Sequence, residues 1–229
     1  MDELTDILKI PKFFILTHSC GSCYALAAYP QLKDKILGSI RMLAMWTPTN
    51  LPCMPTSYAI TRSLPTSIAR AWYSVSLAAQ STPFLHGNSW QLGPMSLREE
   101  STLESFASTL EKIGIENASS DYKACESDWL LSLEITKKMN IPFNNIDVPI
   151  RCWHGMDDTI IPLGSVMWIQ REMKRFLLFA VEGATHNIHM DMSIIRAVFS
   201  DIVKEATDIR LSSFAQNSLQ SLQSSQGEM

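Results

Sequence analysis

The chain lacks any apolar run approaching the roughly 20 residues that a membrane-spanning helix needs. Its N-terminus, from Met1 to Lys12, carries acidic residues and no apolar core, which excludes a signal peptide. The closing Gln-Gly-Glu-Met is not a peroxisomal address, so a cytoplasmic location is expected. Cysteine is sparse: five residues, Cys20, Cys23, Cys53, Cys125 and Cys152, odd in number and scattered over separate segments. That pattern is not a disulfide framework, and Cys20 and Cys23 have no second pair with which to hold zinc. They read instead as small apolar residues on the first turns of a helix. No basic stripe accompanies the net charge of −4, which argues against a nucleic-acid partner.

What is present is a globular composition, with 46% hydrophobic and 18% charged residues in a chain of 229, enough for one buried core. No internal repeat is visible. Leu4, Ile7, Leu8 and Ile10 have helical spacing up to Pro11. Phe13-Phe14-Ile15-Leu16 is a continuous apolar run, as expected of a strand in a parallel sheet. A turn at Thr17–Gly21 leads into a buried helix through Cys23–Tyr29 that should end near Pro30, and Leu37–Trp46 is the next strand. Residues 49–145 change character: prolines punctuate them and apolar residues recur at helical spacing, around Ile68–Val75, Leu97–Ile113 and Trp129–Met139. Nearly one hundred residues are too many for a loop, so this is a helical insertion. The β/α pattern resumes with a strand at Val148–Trp153, a helix at Leu163–Met173, a strand at Phe176–Val181 and a final helix at Ile188–Thr207. Residues 208–229 turn to Ser and Gln and are expected to be disordered.

Three places carry chemistry. Thr17-His18-Ser19-Cys20-Gly21 matches the nucleophile elbow G-x-S-x-G at its serine and second glycine, with Thr17 at the first. Residues two before and two after the serine pack together on so sharp a turn and must be small. The turn would lift the Ser19 hydroxyl over the sheet edge at a helix N-terminus, where free N–H groups stabilise an oxyanion. An ordinary strand-to-helix turn with a capping serine is the alternative.

The second place is His154-Gly155-Met156-Asp157-Asp158, where a strand delivers a carboxylate to its C-terminal end. Either aspartate could hold an imidazole in one tautomer, but adjacent residues cannot both face it, and an Asp-rich turn could simply cap the helix after Pro162. The third is Gly183-Ala184-Thr185-His186, a histidine in a small-residue loop that can swing back to a serine as its base. His189, three residues on, belongs by spacing to the final helix. The order Ser, acid, His is that of one hydrolase architecture.

On these residues, and on His18–Ala27 with Leu43-Ala44-Met45-Trp46-Thr47-Pro48, the chain resembles the α/β-hydrolases of the lipase/esterase-like superfamily, fungal members in particular. The resemblance implies Ser19 as nucleophile, Asp158 as the acid of H-G-x-x-D-x-x-[VI]-P and His186 as the base of G-x-x-H. It implies an incomplete α/β fold: a parallel sheet of about four strands, corresponding to the fifth to eighth of the family. The core would span residues 1–48 and 146–207, with 49–145 as the cap that shapes the pocket. Only eighteen residues precede Ser19, so the first four strands and the loop giving the second oxyanion donor are expected to be missing. The backbone N–H of Cys20 is then the one donor left, and losing a donor costs about 10²–10³ in rate.

The implied activity is hydrolysis of an ester, thioester or lactone of a small apolar molecule, without cofactor or metal, in a setting such as fungal secondary metabolism. Trp72, Tyr73, Trp90 and Trp129 favour an apolar substrate, though each singly could serve helix packing. An acyl transfer or cyclisation, and a non-catalytic relic, are the other readings. The uncharged strand Phe13–Leu16 would become a sheet edge open to self-association.

Overall fold

The computed structural model describes residues 2–51, 53–80, 96, 98, 122–138 and 140–226. Four strands, β1 (Phe13–His18), β2 (Ile36–Leu43), β3 (Ile150–Gly155) and β4 (Phe176–Val181), form one parallel sheet in the order β1-β2-β3-β4. Helix α1 (Asp2–Ile7) precedes β1, and α2 (Gly21–Leu32) connects β1 to β2. Helices α3 (Thr56–Arg62), α4 (Thr66–Gln80) and α5 (Tyr122–Ser132) lie in the long excursion between β2 and β3. Helix α6 (Leu163–Glu172) connects β3 to β4, and α7 (Met192–Gln226) follows β4.

The alternation along each strand sorts side chains to two faces. Ile40 and Met42 of β2, with Ile150 and Cys152 of β3, meet Leu26 of α2 and Val166 and Ile169 of α6. Leu43 and Trp153 point the other way, against Val198, Ile194 and Ile195 of α7. Both faces are covered, which is why the strands read as near-continuous apolar runs.

Arg41 is the exception on the α7 face. It is fully buried, and donates from Nε to Asp201 at 2.9 Å, from Nη2 to Glu205 at 2.6 Å and from Nη1 to the Ser39 carbonyl at 2.9 Å. Arg151 of β3 joins the same two carboxylates. Burial opposes charge on Glu205, but hydrogen bonds from Ser39 and Arg41 hold its carboxyl below the usual range. Gly38, at φ +66°, leaves room for that carboxylate, which a Cβ would strike. The cluster fastens α7 to the centre of the sheet.

Several expectations need correction. Helix α2 runs through Pro30 to Leu32. Proline this late removes one backbone bond, and burying Leu32 offsets the loss. The helix expected at Trp129–Met139 is instead α5, because Glu134 at φ +58° ends it, its carboxylate accepting from the Thr49 N–H and hydroxyl at 3.0 and 2.9 Å. The Leu97–Ile113 helix lies outside the described residues, apart from Arg98. Residues 208–226, expected to be disordered, continue α7. No Gly or Pro interrupts Met192–Gln226, and Ser212 and Ser213 donate to carbonyls four residues back, at 2.8 and 2.9 Å, instead of competing with the helix. No helix among the described residues is long and apolar enough to cross a membrane.

Candidate active site

The C-terminal ends of β1, β3 and β4 bring three loops together. After β1 the chain turns at Ser19, whose φ is +52°, a conformation disfavoured for any residue with a Cβ. Backbone bonds hold the turn: the Ser19 N–H donates to Leu43 O at 3.0 Å, and Ser19 O accepts from the N–H groups of Ser22 and Trp46 at 3.0 and 3.2 Å. Thr17 fits at the position two before the serine because Gly21, two after, faces it; a Cβ there would lie 3.4 Å from Thr17 Cβ. Cys20 is the residue before α2, and its N–H sits at the positive end of that helix. The Cys20 thiol is pushed up to about 11, chiefly by burial, so it stays protonated beside the serine.

Asp158 follows β3 and is 4% exposed. Its Oδ1 accepts from the N–H groups of Ile160 and Ile161 at 2.9 and 2.8 Å, which fixes the carboxylate plane. Its Oδ2 lies 2.8 Å from His186 Nδ1 and 3.3 Å from His154 Nε2. Asp157, by contrast, points to solvent. His186, after β4, is 6% exposed, and its Nε2 lies 2.9 Å from Ser19 Oγ. The three side chains form one line: carboxylate, imidazole, hydroxyl. The acid turn and the histidine loop interlock through backbone, with Asp157 N–H donating to Ala184 O at 3.0 Å and Met156 N–H to Val181 O at 2.9 Å. Gly155 permits this, because a Cβ there would sit on the Ala184 carbonyl oxygen.

Four further histidine and tyrosine side chains surround the line. His154 is fully buried and donates to Ile161 O at 2.7 Å; burial keeps it neutral despite Asp158 beside it. His18 Nε2 donates to His186 O at 3.1 Å, and its ring centroid lies 4.0 Å from that of His189. Burial first, then the neighbouring His189, depresses His18 to about 3. His189 lies on a 3-10 turn, Ile188–Met190, rather than on the final helix. Tyr58 of α3 packs edge-on against Trp46 at 6.0 Å; burial and then the charge of Asp158 push its hydroxyl up to about 12. His18 and Tyr58 were not singled out from sequence. The adjacency of His18 to Ser19 was a signal available for the first; nothing in the spacing marks the second.

From the insertion, α5 closes on α2 and on the segment after β2: Tyr24 Oη donates to Asp128 Oδ1 at 2.7 Å, and Trp46 Nε1 to Ser132 O at 2.9 Å. Tyr73 and Trp129 meet at 5.3 Å between rings, while Trp72 is more than half exposed and Trp90 lies outside the described residues. Among the described residues no group of three or more His, Cys, Asp and Glu side chains is arranged to hold a metal ion.

No protein-family model and no curated protein matches the sequence. Solved structures do match. One is MGS-M2, an α/β hydrolase from a Medee basin deep-sea metagenome library, at a TM-score of 0.61 and 12% identity, over 90% of this chain and 69% of that one. The chain has the α/β-hydrolase fold. Two further α/β-hydrolase-fold structures are similar to it. A thermophilic esterase from Thermogutta terrifontis superposes at a TM-score of 0.59 and 16% identity, over 88% of this chain and 69% of that one. The 2-hydroxy-6-oxo-6-phenylhexa-2,4-dienoate hydrolase of Rhodococcus does so at 0.54 and 12%, over 89% and 67%. At such identities the likeness concerns the fold, and in each case about a third of the neighbour has no counterpart in this chain.

Proposed function

We propose that the protein is a serine hydrolase acting on an ester, thioester or lactone of a small apolar molecule. The observation that carries this reading is the hydrogen-bonded line from Asp158 Oδ2 through His186 to Ser19 Oγ, at 2.8 and 2.9 Å. With Asp158 accepting from Nδ1–H, the His186 Nε2 lone pair faces the hydroxyl, which is the tautomer a base requires. Ser19 Oγ attacks the carbonyl carbon as its proton passes to His186; the imidazolium, stabilised by Asp158, then protonates the leaving group. Water, deprotonated by the same Nε2, cleaves the acyl-enzyme and restores the serine. The oxyanion would rest on the Cys20 N–H at the α2 N-terminus. The partly buried aromatic rings of Tyr58, Tyr73 and Trp129, all contributed by the insertion, support an apolar substrate.

A fluorophosphonate probe tests the reading. Labelling of folded wild-type protein that disappears in Ser19→Ala is the expected result; a folded wild type that resists labelling overturns it. The second reading is a relic with a nucleophile but little turnover; Cys20 is the one oxyanion donor identified among the described residues. This reading predicts labelling together with negligible hydrolysis of p-nitrophenyl butyrate.

A further inference from the structure

The histidine loop grips the residue that precedes the nucleophile. Its first contact is the carbonyl of His186, which accepts from His18 Nε2–H at 3.1 Å. Its second is the ring of His189, which lies against the His18 ring with centroids 4.0 Å apart and planes inclined by 48°. One imidazole is thus held at its edge and on its face by the same loop, from two positions three residues apart. His18 is itself fixed, because it closes β1 in register with Leu43 and is covalently joined to Ser19.

We propose that His18 is a positioning residue: its Nε2–H ties the backbone of His186 to the residue adjoining the nucleophile, and so sets the distance from Nε2 to Ser19 Oγ. The inference rests on the serine-hydrolase reading for its effect on rate, but the clamp itself is a property of the folded chain. A base on a loop can drift from its nucleophile, and small displacements of reacting groups cost far more in rate than in binding. The loop is pinned at its start, where Ala184 O accepts from Asp157 N–H, and the His186 side chain is pinned by Asp158. The backbone at His186 is a further degree of freedom, and the His18 bond removes it.

Neutrality is part of the device. The titratable groups that act on His18 are His189, His186 and Asp158, and burial with the two histidines outweighs the aspartate. A neutral ring with its proton on Nε2 supplies the donor without placing a second cation beside the imidazolium that His186 becomes.

The test compares donor-keeping and donor-free substitutions. Amide Nε2 of Gln reaches about where imidazole Nε2 does, so His18→Gln is expected to retain most of kcat on p-nitrophenyl butyrate. His18→Phe is expected to lose about tenfold in kcat with KM little changed, the effect of one hydrogen bond. Equal losses in the two variants, or a loss confined to KM, overturn the proposal. Should His18→Phe not fold, His18→Met, matched in length to Gln and without a donor, replaces it. Long-range ¹⁵N–¹H NMR of the wild type needs no turnover: His18 must be the Nε2–H tautomer at neutral pH, and the Nδ1–H tautomer refutes the clamp. That measurement stands even if the fluorophosphonate fails to label, so the two readings fail separately.

Discussion

Replacing Asp158 by Asn tests the geometry of the site more sharply than deleting it. The two backbone N–H groups of Ile160 and Ile161, at 2.9 and 2.8 Å, both require an acceptor at the Oδ1 position. An asparagine must therefore put its oxygen there and its NH₂ where Oδ2 now faces His186 Nδ1 and His154 Nε2. The NH₂ can donate to Nδ1 only if His186 carries its proton on Nε2, the tautomer that cannot take a proton from Ser19. Restoring the working tautomer sets two donors against each other, at about 2–3 kcal/mol. Loss of the charge-assisted bond to the imidazolium adds about 2–3 kcal/mol. At about 1.4 kcal/mol per decade the combined cost is about 10³–10⁴ in kcat. The rate of p-nitrophenyl butyrate hydrolysis, with circular dichroism to verify folding, measures it. Asp158→Ala, which leaves the imidazole free to choose its tautomer, should be no worse than Asn despite the larger structural change. Asp157→Asn, on an exposed side chain, should stay within about twofold. A folded Asp158→Asn retaining a tenth or more of wild-type kcat would refute the assignment of the acid.

Three other outcomes follow from the structure. Arg41→Met removes the buried guanidinium and leaves Asp201 and Glu205 to Arg151 and Ser39, and urea unfolding should show a loss of about 1–3 kcal/mol from the charge-assisted bonds removed. Gly155→Ala forces a methyl group onto the Ala184 carbonyl and displaces the histidine loop; fluorophosphonate labelling should slow by about tenfold or more while far-ultraviolet circular dichroism is unchanged. Stability should fall as pH drops from about 6.5, because the unfolded chain protonates its histidines there while His18, at about 3 in the fold, and the buried His154 stay neutral. Each group contributes a slope of up to about 1.4 kcal/mol per pH unit, and thermal melts of His18→Gln should show a flatter decline between pH 6.5 and 4.

The parts of the fold that were legible in the sequence are those set by local chemistry. The apolar runs at Phe13–Leu16 and Phe176–Val181 are legible as strands because they are short and continuous, and Ser19 stands out because a tight strand-to-helix turn demands small neighbours. What escaped depends on partners distant in sequence. Arg41 looks like a misplaced charge in an apolar strand until α7 supplies Asp201 and Glu205. The end of α5 has no local signal, because it depends on Glu134, and Glu134 on Thr49. The Ser- and Gln-rich stretch after Leu211 has the composition of a disordered tail, yet without helix breakers its backbone continues α7 to Gln226. His18 adjoins Ser19 in the sequence, but only the closure of the histidine loop over β1 brings His189 against it.

Ser19 and His186, the proposed nucleophile and base, are 167 residues apart along the chain and joined by one 2.9 Å hydrogen bond. On the ribosome, at about 5–20 residues per second, Ser19 is made roughly ten to thirty seconds before His186 exists to deprotonate it. Throughout that interval the nascent chain carries an unactivated hydroxyl. Under the proposed function, chemistry would switch on only when β4 and its loop have been synthesised and docked, so translation itself would act as the zymogen stage.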